Sequence, residues 1–456
     1  MLRKQNDMLN GPIFSGIISY TIPIILTNIL QLMFHSADMI VVGQFCGSLS
    51  LAAVGATSTL TTLMLNIFIG LSVGVGVSVA HGIGSREEEN VHKTVHTALP
   101  VALISGILLT IIALITAEPL LRLMNTPETV LPLSVVYMQI YFCGTIFNLL
   151  NNFCASILRA AGDSRSPMVH LTIAGILNVI LNILFVLVFH MNVAGVALAT
   201  VLSQGYSAVM LIYILTRRTD ACKLSLTKCR IYMGQFLKIL RIGIPAGLES
   251  ALFSVSNVVV ASAVNSFGDV FLSGVSASNN ISNFVYFLMN AFAQTTLNYV
   301  GQNYSARNYK RVNRIIGQCM ICVIVSGITL GWLAYGFAEP LLSIYITDSQ
   351  EAIKYGTIKL AFICIPYFLG GMLEVSSSSL RGIGASTTPM VLSIVGTCFV
   401  RIGWILTFFQ WEQFHTPEWL YVIFPVSWFL TFVAQIIAFS YIYKRKIKLR
   451  TQNEAV

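Results

Sequence analysis

A single aspartate, Asp38, interrupts a run from Ile13 to Cys46 that is otherwise free of acidic and basic charge. It falls fifteen residues after Pro23, about 22 Å along a helix at 1.5 Å per residue. A carboxylate in low-dielectric surroundings either holds a cation or takes up a proton; the alternative is a structural polar group bonded to a neighbouring helix. Asn178 and Asn182 stand four apart in GILNVILNIL, hence on one helical face. Their carbonyl oxygens are hard ligands of the kind Na⁺ takes, and their amides can equally hydrogen-bond a carboxylate. Ordinary interhelical hydrogen bonding is the competing reading. Thr200 adds a hydroxyl in GVALATVLSQ.

Glu249, Glu374 and Arg401 are the other ionisable residues deep in apolar sequence. At about 2.5–3.5 kcal/mol each on insertion scales, such residues need a reason. Either the glutamates form a second cation site, or one of them pairs with Arg401 in a buried ion pair. A polar stripe, Asn279, Asn283, Tyr286, Asn290, Gln294 and Asn298, repeats at steps of three and four. Such a face must meet protein or water; lining a cleft is the functional reading and a wet packing seam the structural one. Met33, Met64, Met289, Phe287 and Phe292 would supply adaptable apolar walls, though packing explains any one of them equally well.

The elements that carry these residues follow from composition. Of 456 residues, 55% are apolar and 10% charged, against roughly 25% charged in soluble proteins. Mean hydropathy is +0.77. So few charges cannot cover the surface of a soluble chain this long, so most of the surface faces lipid. Twelve apolar stretches, centred near residues 28, 65, 105, 145, 178, 205, 252, 285, 327, 368, 398 and 430, are each long enough to span a bilayer as a helix. The fold class is therefore an all-α polytopic membrane protein.

The net charge of +9 follows topology rather than nucleic acid. With both termini cytoplasmic, nearly all basic residues lie inside, including Arg3 and Lys4 and the run Lys444, Arg445, Lys446, Lys448 and Arg450. The outside loops keep only Arg122, Lys354 and Lys359. This asymmetry sets the orientation. The first span is too long for a signal peptide and stays attached. Nine cysteines, most within spans, imply no disulfide framework.

The chain also repeats itself at an offset of 221 to 222. Ile22-Pro23 falls on Ile244-Pro245, Ala117–Leu121 on Ala338–Leu342, and LRAAGDSRSPM (158–168) on LRGIGASTTPM (380–390). Arg86 falls on Arg307. Six spans per half is an even number, so the halves run parallel, related by a pseudo-twofold axis along the membrane normal. The expected organisation is an amino-terminal six-helix lobe (1–216), a cytoplasmic linker loop (217–238), a carboxyl-terminal six-helix lobe (239–443) and a basic cytoplasmic tail (444–456).

Together these features resemble the multidrug and toxic compound extrusion (MATE) transporters. The resemblance is carried by six plus six helices, Pro23, Asp38 and Gly43 spaced P-x14-D-x4-G, LAAVG at 51–55, PLLRLMNTPE at 119–128 and the paired LRxxGxSxxPM turns. It covers essentially the whole chain. It implies export of amphipathic, often cationic compounds in exchange for Na⁺ or H⁺. It implies, too, an amino-lobe cation site of Asp38, Asn178, Asn182 and Thr200, here in the Asn-x3-Asn form. A bending first helix makes Pro23 a hinge, whereas its repeat mate Pro245 argues for a merely architectural bend.

Other patterns lead nowhere. Cys319-x2-Cys322 has no second ligand pair for zinc. His92 and His96, on one face at the end of the third span, read as surface histidines. No phosphate-binding glycine loop supports direct use of ATP. The resulting expectation is a plasma-membrane antiporter working by alternating access, a monomer without cofactor beyond its coupling ion, with small organic substrates and the bilayer as partners. One rival is a flippase for lipid-linked saccharides, which should show several deep basic residues where only Arg401 stands out. The other is a membrane-embedded enzyme, for which His35 near Asp38 has no nucleophile to serve.

Overall fold

The computed structural model describes residues 6–124, 126–346 and 349–454, with side chains except at Ser48 and beyond Lys448. Arg3, Lys4, the side chain of Arg450 and the last residues of the tail lie outside the described residues.

Among the described residues the chain is helical, without strands. In chain order the twelve long segments are Ile13–Cys46, Leu49–Gly84, Glu88–Leu123, the pair Leu131–Cys143 and Thr145–Ala160, Arg165–Val188, and Asn192–Thr216. Then follow Met233–Asn265, Asp269–Ser305, Tyr309–Gly336, the pair Gln350–Cys364 and Tyr367–Gly382, Thr387–Gln410, and Pro417–Lys448. Eleven are apolar and long enough to cross a bilayer when each bent pair counts as one span. The eighth, Asp269–Ser305, is long enough but too polar, because it carries the asparagine stripe.

Contacts divide the chain into two compact units: one of residues up to Gly11 plus Ile18–Ala251, the other of Pro12–Ile17 plus Leu252–Val456. The internal repeat is visible in their local geometry. Gly47 and Gly268 are left-handed at φ 85° and 88°, as are Gly162 and Gly384 at 88° and 75°. Arg86 and Arg307 share the same conformation at φ 58° and 63° despite their side chains. The fourth and tenth spans bend by 44° and 42°. A duplicated sequence thus repeats its turns and its bends.

In the first unit, the second and seventh spans approach almost backbone to backbone. A Cβ on Gly70 would lie 2.2 Å from the Gly247 nitrogen, and one on Gly74 would lie 2.4 Å from the Ile239 carbonyl oxygen. Small residues permit such contact where lipid gives helices no hydrophobic reason to associate. Gly76, on the same span, makes only ordinary contacts.

The basic segment after the sixth span is docked on this unit. Cys222 and Leu224 are buried in its core, each 2% exposed. Arg218 grips Asp220 through its guanidinium. Burial of Asp220 works against ionisation, but the hydrogen bonds and charge of Arg218 prevail and hold the carboxyl below its ordinary range. His96 is fully buried, contrary to the surface reading. Its Nε2 accepts from the Ser225 N–H at 3.0 Å while Nδ1 meets the His92 carbonyl at 2.8 Å. The Tyr232 N–H donates to Thr97 Oγ1 at 3.1 Å. Folding the segment over the helix end turns a helix-terminal histidine into a core residue.

The second unit has an aromatic core. Tyr421, Phe424 and Trp428 form one stripe of the twelfth span, with ring centroids 6.2 and 6.1 Å apart, and Tyr367 packs on Trp428 at 5.3 Å.

Candidate functional site

The first unit brings Asp38, Asn178, Asn182 and Thr200 together. The fifth and sixth spans pack side by side, and the ends of the first and fifth each finish in a π-helical turn, Val42–Cys46 and Leu184–Val188. Val42, Val54, Val186, Val193 and Val196 fill the space beside those turns. π turns widen a helix locally and re-aim the side chains before them. Asp38 and Asn182 both stand within one turn of such a widening.

Asn182 is fully buried and Asn178 is 5% exposed, while Asp38 is half-buried. The Asn182 amide donates to Asp38 Oδ1 at 2.5 Å and to Asn178 Oδ1 at 3.3 Å. Asn178 donates in turn to Thr200 Oγ1 at 3.3 Å, and the Thr200 hydroxyl donates to the Val196 carbonyl at 3.0 Å. All four residues therefore belong to one hydrogen-bonded chain. The Asn182 Oδ1 atom is buried and makes no hydrogen bond. An oxygen so placed, beside a carboxylate, is suited to a small hard cation, and the carboxylate alone is suited to a proton.

Two tyrosines that the sequence did not single out complete the surroundings. Tyr137 and Tyr141, stacked at 6.0 Å on the fourth span, are within electrostatic reach of Asp38, and Tyr141 is hydrogen-bonded to Gln204. Their spacing of four was the available signal. Pro23 lies within the unbroken first helix, where its carbonyl accepts from Thr27 Oγ1 at 2.7 Å.

The remaining expected residues are not gathered there. Glu249 is buried in the first unit; Glu374 and Arg401 belong to the second. The expected ion pair at Arg401 does not form: its Nε donates to Ser427 Oγ at 3.1 Å, and its guanidinium lies 4.1 and 5.7 Å from the ring centroids of Phe424 and Trp428. Aromatic faces take the place of a carboxylate. Along the eighth span, Asn279 and Asn283 are exposed, Tyr286, Asn290 and Gln294 partly so, and Asn298 is buried. The Gln294 amide donates to Asn290 Oδ1 at 2.7 Å.

Lys359 overturns its assignment to an outside loop. It lies inside the tenth span and is 6% exposed, its Nζ donating to the Val275 carbonyl at 3.2 Å and to Asn279 Oδ1. Its long stem carries the ammonium from the helix to those acceptors.

A family model described as MatE matches residues 23–184 and 245–405. Among curated proteins, the chain is 29% identical over 411 residues to the probable multidrug resistance protein YpnP of Bacillus subtilis, covering 90% of this chain and 91% of that one. It is 25% identical over 404 residues to a FAD transporter of Shewanella oneidensis, covering 87% and 88%. Among solved structures, that of MATE in the bent conformation superposes with a TM-score of 0.88 at 21% identity, over 99% of this chain and all of the other.

Proposed function

Since the chain belongs to the MatE family, a family of multi-pass membrane transporters, we propose that it is a secondary antiporter that exports amphipathic organic compounds in exchange for Na⁺ or H⁺. The observation that carries this reading is the hydrogen-bonded chain Asp38–Asn182–Asn178–Thr200 in the first unit. Asp38 binds the coupling cation. Asn182 and Asn178 orient the carboxylate and offer their own oxygens, and Thr200 anchors the far end. Cation binding couples to export if it favours the conformation that releases substrate, each ligand altering the affinity for the other.

The protein would lie in the plasma membrane with both termini cytoplasmic, as the distribution of basic residues suggests. Two six-helix lobes would alternate access, with Pro23 as a hinge in the first helix. The exposed asparagines of the eighth span, which cannot face lipid, would line the substrate path. A lipid flippase is the second reading, and Lys359 favours it by adding a second deep cation to Arg401. Export of a dye panel from energised vesicles, with Na⁺ and proton gradients collapsed separately, tests the antiport. Export that survives collapse of both gradients would overturn it.

A further inference from the structure

The second unit holds two buried cations, Lys359 and Arg401, 6% and 3% exposed. Neither has a carboxylate within ion-pair distance among the described residues. Lys359 bonds a backbone carbonyl and an asparagine oxygen, with the Tyr421 ring at 5.9 Å. Arg401 bonds one serine hydroxyl, stacks on Phe424 and Trp428, and keeps a buried Nη2 with no partner. Aromatic faces stabilise a cation but do not neutralise it, so each leaves a positive field in low-dielectric surroundings.

Lys359 stands behind an accessible surface. Asn279, which accepts from Lys359, is exposed on the eighth span, and so is Asn283. Tyr286 follows Asn279 by seven residues on the same face, about 10.5 Å along the helix. Lys359 thus backs one end of this polar face. The Val275 carbonyl, the Asn279 oxygen and the Tyr421 ring hold Lys359 in place before any ligand arrives.

We propose that this face of the second unit, Asn279 and Asn283 backed by Lys359, binds an organic anion bearing a carboxylate, sulfonate or phosphate group. Side-chain amide N–H groups donate to the anion in front, and Lys359 supplies its counter-charge from behind. A cationic compound meets the opposite field and is disfavoured. The proposal rests on the reading of the chain as an exporter of organic compounds and narrows the class of compound. The anionic group can come from a soluble molecule or from an acidic lipid headgroup.

The test uses the purified full chain in nanodiscs of zwitterionic lipid and two xanthene dyes of similar size and opposite charge, carboxyfluorescein and rhodamine 6G, with binding read by fluorescence anisotropy. Carboxyfluorescein should bind more tightly, and Lys359→Met and Lys359→Gln should each weaken it by about tenfold or more while leaving rhodamine 6G unaffected. Asn279→Asp covers the case in which those variants fail to fold. It gives Lys359 a carboxylate, should preserve or raise the melting temperature, and should lose carboxyfluorescein to the same extent. Acidic lipid that displaces the dye competitively identifies a headgroup as the source of the anion, and its failure to displace identifies a soluble anion; either result supports the site. Preference for rhodamine 6G, or undiminished carboxyfluorescein binding by folded Asn279→Asp, overturns it. Dye binding in nanodiscs needs no ion gradient, so gradient-independent export with Lys359-dependent binding intact overturns the antiport reading alone, and gradient-driven export without that binding overturns this site alone.

Discussion

Asn182, fully buried in the fifth span, donates its side-chain amide to Asp38 Oδ1 in the first span at 2.5 Å. The bond joins residues 144 apart in the chain, and it makes the carboxylate's position depend on the fifth helix. Asp38→Asn keeps the shape and removes the charge. It should reduce gradient-driven export in vesicles to background with an unchanged melting temperature, and Asp38→Glu should retain part of the activity. Normal gradient-dependent export by Asp38→Asn would falsify the assignment of Asp38 as the coupling carboxylate.

Residues in one network do not contribute independently. Asn182→Ala and Asn178→Ala should each weaken the cation dependence of export. Adding either to Asp38→Asn should cost almost nothing more. Effects that simply add in a double-mutant cycle would place the asparagines outside the cation site.

Arg401 has aromatic rather than acidic neighbours, so its replacement should not be rescued by removing an acid. Arg401→Met combined with Glu374→Gln or Glu249→Gln should show additive changes in unfolding free energy, within about 0.5 kcal/mol. Recovery of stability in either double variant would reveal an ion pair that this structure lacks.

The contact between the second and seventh spans leaves no room for a methyl group at Gly70 or Gly247. Ala at either position should cost about 1–3 kcal/mol, read as lower yield and a lower melting temperature. Gly76→Ala is the control, since its added Cβ meets its nearest neighbours at 3.6 Å or more.

His96 ties the segment after the sixth span to the third through Ser225. His96→Ala should make that segment more sensitive to added protease in detergent solution, and His96→Gln, which keeps an acceptor, should restore part of the protection. Equal cleavage of all three proteins would show that the hydrogen bond does not hold the segment.

The cation-site candidates were legible because a lone charge in apolar sequence and asparagines four apart are local signals. The duplication was legible as well, since a fixed offset needs no structure to detect. Lys359 escaped because it sits just before a long apolar run, where a window of hydropathy reads its charge as loop; the helix in fact begins at Gln350 and buries it. His96 escaped because its burial comes from a segment more than a hundred residues away. Arg401 was recognised as buried, but aromatic faces at steps of three and four along the twelfth span carry no charge by which to announce themselves as its neighbours.

The polarity of the eighth span also bears on how the protein is made. Among the described residues, Asp269–Ser305 is the one long helix that is not apolar enough to enter a bilayer by its own partitioning. Its asparagines cost free energy against lipid and find relief only against protein or water. On the ribosome it therefore has to be retained beside the translocation channel until a neighbouring helix emerges to accompany it, and the two must insert as a hairpin. The face that gives the finished transporter its polar surface thus imposes an order on its biogenesis, and synthesis halted just after Ser305 should leave this helix uninserted.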